Sequence, residues 1–385
     1  MLHTIALTLI PGLTPAQQLD LLRHYGDAEA IIMRPEETLR DVNEALRVPC
    51  VKAITAGRSK ALMQAQQEEE FCRMHSIQIL PITSESYPRR LRDCPDAPVV
   101  LYYRGTADLN AAHIIAIVGT RQITEYGKQV CLRFTDRLAE VLPDTLVISG
   151  LAYGVDIHAQ RGCMDHNLAT IGVVAHGLDQ VYPATHRNDA RRMIKQGGGI
   201  LTEYPRGTRP LQGNFLRRNR IVAGMSDATI IVESAEHSGS LVTARLADSY
   251  GRPIFAVPGR INDPYSVGCN NLIMQQKARP ALSIDTIISE LGWWIDTVPY
   301  HNEHNQLNLF DTPEFAAPLA AKHFPTLSPE QHAIVAALTG ADGLCIADIA
   351  TKAGIAASDV TAALFDMEME GIVKVLPGSL YILTR

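Results

Sequence analysis

The sequence predicts an α/β fold: a doubly wound, mostly parallel sheet over residues 76–292, flanked by a helical segment before it and a small three-helix module after it. Three observations carry this. Eight short runs, IQILPIT, PVVLYYRG, HIIAIVG, TLVISG, TIGVVAHG, ILTEY, ATIIVES and PIFAVPG, are rich in apolar and β-branched residues. Strands apolar on both sides belong in sheets covered on both faces. Helix-period segments at 124–141, 154–166, 186–196, 239–250 and 283–291 alternate with these runs, as a doubly wound sheet requires. The texture then changes near residue 75 and again near residue 293.

Residues 1–75 read as helices. LDLLRHYGDAEAII and VKAITAGRSKALMQAQQEEEFCRMH carry apolar residues at helical spacing. Two stretches, IPGLT (Ile10–Thr14) and VPCVKA (Val48–Ala53), resemble the turns of helix-hairpin-helix modules, where N–H groups at a helix start can meet a phosphate. The second lacks the usual glycine, and the segment carries eight Lys/Arg against ten acids. A plain helical bundle is therefore the simpler reading. Residues 293–325 are rich in Asn, His and Pro without periodicity and read as a linker. Residues 326–385 open with TLSPEQ, a Ser N-cap followed by Pro in the first turn. Helical stretches follow at about 328–339, 346–353 and 358–370, then two short strands around Pro377–Gly378, which together make a winged-helix pattern.

Composition bounds the function. The chain has 385 residues, 46% hydrophobic and 20% charged, an ordinary globular balance with room for two or three domains. No apolar run approaches the roughly 18 residues of a membrane span. The N-terminus has no basic flank or small-residue cleavage site and reads as mature protein. Seven cysteines stand singly, with no C-x-x-C, so neither zinc nor a disulfide framework is expected and a reducing cytoplasm fits. The net charge is −6, which argues against binding nucleic acid through overall charge. Yet Val181–Val222 holds nine Lys/Arg against two acids, a local +7, while 326–385 holds three against seven.

Ligands of such sheets sit beyond the carboxyl ends of the strands. Three strand ends carry glycine and small hydroxyl residues: Gly119-Thr120-Arg121, Ser149-Gly150 with Gly154 opening a helix, and Ser238-Gly239-Ser240. Each turn either exposes N–H groups that suit a phosphate or is simply a tight connection. The fourth feature is NFLRRNR. Phe215 offers a stacking face; Arg217, Arg218 and Arg220 offer forked donors; Asn214 and Asn219 offer amides. Together with the glycine turns this is the composition of a single-strand nucleic-acid site. Taken alone, Phe215 fits the core, and not all three arginines can face the same way. G-x-x-x-x-G-K-[ST] and G-x-G-x-x-G are absent, and so is a G-x-S-x-G elbow. No cofactor, metal or catalytic residue is therefore expected. Asp156, His158 and His176 lie near the ligand edge without a catalytic pattern. Glu233 reads as a helix cap and Tyr182-Pro183 as a turn anchor.

These stretches resemble the DNA-processing protein A family (DprA, also called Smf). YPRRLRDCPDAPVVLYYRG, IAIVGTR, VISGLAYGVD, GLDQVYPATHR, GGGILTEYP, NFLRRNRIVAGMSDATIIVES, HSGSLVTARLA, GRPIFAVPG and GCNNLI run in the family's order over about residues 75–292. The resemblance implies three domains: a helical SAM-like or helix-hairpin-helix-like domain (1–75), an extended Rossmann-like domain (76–292) and a winged helix (326–385). It implies a cytoplasmic protein that binds and protects single-stranded DNA without catalysis, helps load the RecA recombinase, as in natural transformation, and pairs as a homodimer through the Rossmann-like domain. In family terms the DNA pocket takes Gly119, Thr120 and Arg121 with Phe215, Arg218, Asn219 and Arg220. Gln212 replaces a lysine that some members carry three positions before the phenylalanine, and Gln160 replaces the histidine of the helix after SGLA-x-G-x-D. The sheet also resembles lysine-decarboxylase-like phosphoribohydrolases, but HSGSLVTA lacks the glutamate of their PGG-x-GT-x-x-E signature. A nucleotide sensor acting through the winged helix is a third reading. The acidic winged helix suits a protein contact better than a phosphate backbone.

Overall fold

The structure, a computed structural model, describes residues 1–293, 327–339, 343–369, 372–376 and 380–383. The linker expected over 293–325 (Trp293 apart) and the turn at Pro377–Gly378 lie outside the described residues. The chain divides into two compact units, Met1–Pro299 and Tyr300–Arg385.

The first unit opens with helices α1 (Leu2–Thr8), α2 (Pro15–Tyr25), α3 (Ala28–Met33), α4 (Pro35–Thr38) and α5 (Glu44–Met74). Thr14 caps α2 through a capping box with Gln17. The turn before it needs glycine, because Gly12 has φ +91°. The second hairpin is a correction: Val48–Ala53 lies inside α5, not in a turn. Pro49 sits early in that helix, where its ring removes only one ladder hydrogen bond.

The sheet runs β1-β2-β6-β5-β4-β3-β7-β8-β9. Its strands are β1 (Gln78–Pro81), β2 (Val100–Gly105), β3 (Ile114–Val118), β4 (Leu146–Ser149), β5 (Thr170–Val173), β6 (Gly199–Thr202), β7 (Ala228–Ile231), β8 (Ile254–Ala256) and β9 (Arg279–Pro280). From β6 to β9 every pair is parallel; β1 with β2 and β2 with β6 are antiparallel. Side chains alternate between two cores. Ile114, Ala116 and Val118 of β3 point to one side with the N-terminal helices; Ile115 and Ile117 point to the other. That is why the strands read as unbroken apolar runs.

The crossing helices are α6 (Arg89–Arg92), α7 (Glu125–Val141), α8 (Val155–Asp165), α9 (Arg187–Lys195), α10 (Gln212–Met225), α11 (Gly239–Ser249), α12 (Val267–Met274) and α13 (Ile284–Glu290). Helices α7, α8 and α13 cover one face; α10, α11 and the N-terminal helices cover the other. Ile5, Ile54, Phe71, Leu80, Tyr102 and Ile221 belong to one continuous core, so residues 1–75 and the sheet fold as one body. The chain steps from β3 outward to β6, then returns to β7 on the other side of β3. The crevice of this switch lies between the turns after β3 and β7.

The second unit contains α14 (Pro329–Leu338), α15 (Ile346–Ala353), α16 (Ala357–Met369) and the antiparallel pair β10 (Val373–Leu376) and β11 (Leu380–Leu383). Ser328 caps α14 through a capping box with Gln331. Ile334, Leu338, Ile349, Val360, Leu364, Met367 and Val373 form its own core. Among the described residues no helix is long and apolar enough to cross a membrane.

Candidate nucleic-acid interface

The turn after β3 is pinned from two sides. Thr120 N donates to Glu233 O at 2.7 Å, and Val155 N donates to Thr120 O at 3.0 Å. A Cβ on Gly119 would lie 2.5 Å from Val155 Cγ2 and 2.7 Å from Glu233 O, so only glycine fits. A Cβ on Gly154 would lie 2.1 Å from Thr120 O, and its φ of +78° also requires glycine. Thr120 is buried and accepts from Gln122 N at 3.1 Å, which leaves Arg121 exposed at the crest of the turn. Glu233 is buried, and its carboxylate accepts from Thr124 N at 2.9 Å and from Thr124 Oγ1; the N-cap of α7 is Thr124 itself, which accepts from Gly127 N at 3.2 Å, so Glu233 serves the helix start by holding its cap.

NFLRRNR forms the first turns of α10. At 100° per residue, Asn214, Phe215, Arg218 and Asn219 share one side, and Leu216, Arg217 and Arg220 share the other. The first side faces the sheet edge. Arg121 Cζ lies 5.1 Å from the centre of the Phe215 ring, and the Tyr182 ring centre lies 5.7 Å from it at a 52° tilt. Arg218 is 4% exposed, and its Nη1 donates to Val173 O at 2.8 Å. Its Nε is buried with no partner among the described residues. Across Gly150 stands Asp156, whose Oδ2 accepts from Gly150 N at 3.1 Å and Ala152 N at 3.4 Å. A Cβ on Gly150 would lie 1.9 Å from Arg218 Nη1 and 2.5 Å from Asp156 Oδ2. Burial pulls the Arg218 pKa down and pushes the Asp156 pKa up, while each charge opposes the other's shift.

The remaining polar groups hold the edge together. Asn219 Nδ2 donates to Gly239 O at 3.2 Å, joining α10 to the Ser238-Gly239-Ser240 turn. Ser238 caps α11, accepting from Ser240 N at 3.4 Å, and Ser240 Oγ donates to Ser234 Oγ at 2.9 Å. Asn214 Nδ2 donates to Arg209 O at 3.2 Å. Gly239 stays exposed, with open space where a side chain would stand.

Two expected contacts sit elsewhere. Ser149 is fully buried and donates to Ile117 O at 2.6 Å, so its hydroxyl ties β4 to β3 and does not reach the surface. Arg220 is turned to the opposite side of α10, where it donates to Asp96 O at 2.7 Å and pairs with Glu203. Arg217 is exposed on that side and lines with Arg220 a groove of about 500 Å³. The basic stretch is also partly neutralised by acids outside it: Arg192 pairs with Asp165 at 2.7 Å, and Arg206 lies 3.8 Å from Glu68.

The histidines are occupied. His176 Nε2 accepts from Tyr182 N at 3.1 Å, its Nδ1 faces Gly177 O at 2.9 Å, and burial lowers its pKa. His158 Nδ1 lies 2.8 Å from Gly154 O in its own helix. Gln160 is buried and donates to Ile171 O at 3.1 Å, so this position serves the sheet. Gln212 opens α10 and is exposed. Tyr182, read from sequence as a turn anchor only, presents a ring beside Phe215; a large aromatic residue next to Pro183 between two glycine-bearing strand ends was the available signal.

A family model described as DNA recombination-mediator protein A matches residues 78–292, and one described as DprA winged helix domain matches 317–379. The chain is 36% identical to DNA processing protein DprA of Bacillus subtilis over 65% of this chain and 87% of that protein. It is 33% identical to Protein Smf of Escherichia coli over 80% and 78%. The X-ray structure of DprA from Streptococcus pneumoniae matches with a TM-score of 0.63 at 30% identity, covering 75% of this chain and 98% of that one. A structure described by its single-stranded DNA binding mode, DprA from Helicobacter pylori, matches with a TM-score of 0.50 at 34% identity over 56% and 96%. With this sheet, this glycine-pinned edge and these matches, the chain belongs to the DNA recombination-mediator protein A (DprA/Smf) family.

Proposed function

We propose that this chain binds single-stranded DNA at the sheet edge and acts as a recombination mediator without catalysing a reaction. The observation that supports this best is the stack of Arg121 over Phe215, which joins a free cation to a half-buried aromatic face beside a pinned glycine turn. Among the described residues Arg121 has no acidic partner within salt-bridge distance. Phosphates would bind Arg121 and the open Gly239 end of α11, with bases against Phe215. Arg218 braces the edge through Val173 O beside Gly150, and Arg217 adds charge on the far side of α10.

Recombinase loading by contact with RecA, a homodimer through the sheet-bearing unit, and a cytoplasmic setting complete the proposal. They draw on the family likeness. A non-catalytic role is supported by the state of the candidate acid–base groups: Glu233 is bonded to the cap residue Thr124, Asp156 accepts backbone amides, and His176 is bonded at both ring nitrogens.

The test is oligo-dT binding against a duplex competitor across salt concentrations. Affinity should fall with salt through counterion release and favour the single strand. Unchanged oligo-dT affinity in the double variant Arg121→Ala, Phe215→Ala would refute the site. Release of free base from nucleotide monophosphates, followed by mass spectrometry, would refute the non-catalytic role.

A further inference from the structure

Phe215 is not the only ring at this edge. Tyr182 is 45% exposed and Tyr153 is 48% exposed, both high for side chains of this size. Neither hangs free. Tyr182 N is held by His176 Nε2, and its ring packs at 52° to Phe215. The Tyr153 hydroxyl lies 3.1 Å from Thr185 Oγ1, and its ring meets His186 edge-on at 4.9 Å.

The two tyrosines border the same structure. Tyr153 belongs to the loop after β4, whose next residue, Gly154, is packed directly on the Arg121 backbone. Thr185 and His186, which hold Tyr153, follow three and four residues after Tyr182. His186 Nδ1 in turn lies 2.9 Å from Leu151 O, closing the loop after β4 onto the segment that carries Tyr182. Arg121, Phe215, Tyr182 and Tyr153 therefore lie around one continuous rim made from the turns after β3, β4 and β5 and the start of α10.

Rings held at one point and open on the rest are suited to stacking: their order is fixed before a ligand arrives, so little side-chain freedom is lost on binding. A buried structural tyrosine would instead hide its faces. We infer that Tyr182 and Tyr153 extend the Phe215 surface into a three-ring stacking track for neighbouring bases of one DNA strand. This rests on the single-stranded DNA reading above. It adds two base-contacting residues and makes the site longer than the Arg121–Phe215 pair. Selection for unpaired strands follows, because a base face is open to a ring only when the helix is unstacked.

The experiment compares the full chain with Tyr182→Ala, Tyr153→Ala, Tyr182→Phe and Tyr153→Phe on oligo-dT of increasing length and on oligomers of equal length with abasic sites. Melting curves check that each variant is folded; both positions are half exposed, and the Phe variants keep the ring. Each Ala variant should bind oligo-dT roughly five- to a hundredfold more weakly, the Phe variants should recover most of that, and neither change should matter on the abasic oligomer. Tyr153→Ala should also reach its plateau affinity at a shorter oligomer. Folded Ala variants that bind oligo-dT like the parent would overturn the track while leaving the Arg121–Phe215 site standing. Equal losses on dT and abasic oligomers would overturn it too, because the rings would then be shaping phosphate contacts. A parent chain that ignores oligo-dT altogether would remove both this inference and the function it rests on.

Discussion

Arg220 lies in the basic stretch yet is placed to hold the fold, and replacing it separates charge that meets DNA from charge that meets protein. Its guanidinium donates to Asp96 O at 2.7 Å and pairs with Glu203, and the two side chains are only 7% and 11% exposed. Glu203 Oε1 has no hydrogen-bond partner among the described residues; Arg220 is the cation in direct contact with the carboxylate there, and Arg217 adds a weaker Coulombic pull. Removing one member of a buried pair leaves the other uncompensated, at a cost of about 3–5 kcal/mol. Arg220→Ala should lower the unfolding free energy by that amount in a denaturant titration.

The pH dependence carries a sign. Burial already raises the Glu203 pKa above its ordinary 4.5, against the pull of Arg220. Without that cation it rises further. A raised carboxyl favours the folded state below its unfolded pKa, and this is lost as pH climbs through the folded value. The deficit of Arg220→Ala should therefore be largest near neutral pH and shrink as the pH falls towards 4.5. Replacing both partners with apolar residues, Arg220→Met with Glu203→Leu, should restore much of the stability. Oligo-dT affinity in the folded fraction should keep its parental salt slope. A stable Arg220→Ala protein with a shallower salt slope would refute this assignment and put Arg220 on a phosphate.

Arg121→Ala should show the opposite pattern, with unchanged stability and a single-strand salt slope smaller by about 0.7, measured by fluorescence anisotropy. Gly150→Ala should force Arg218 and Asp156 apart and destabilise the fold by about 1–3 kcal/mol, read as a lowered melting temperature. His176 is held neutral by burial, so the stability it contributes is present above pH 6.5 and lost as the pH falls through its depressed folded value; oligo-dT affinity should decline there too, as the Tyr182 anchor loosens. Glu233→Ala should cost about 1–3 kcal/mol by removing the buried acceptor of Thr124, the residue that caps α7, while leaving Arg121 in place, checked by denaturation and binding together.

Much of the fold was legible because burial on both sides forces strands to be mostly apolar, and β3 to β8 are buried throughout with at most one hydroxyl residue each. What was hidden depends on neighbours far along the chain. The antiparallel pairing of β1, β2 and β6 leaves no local signature, since the strand pattern is the same for either direction. Helix α10 was obscured because its basic residues sit on both sides, masking the apolar period of Ile221, Val222 and Met225. Pro49 suggested a turn where the chain continues as helix.

The sequence by itself determined the alternation of strands and helices, the glycines that close approach demands, and the concentration of charge and aromatic residues in NFLRRNR. Only the tertiary structure decided which way each group faces. One helix turn sends Phe215 towards Arg121 and Arg220 towards Glu203; a strand register buries Ser149 against Ile117; and the fold brings Tyr182 beside Phe215. The physical reason is that residue type sets what a side chain can bind, whereas burial and the nearest opposite charge set what it does bind.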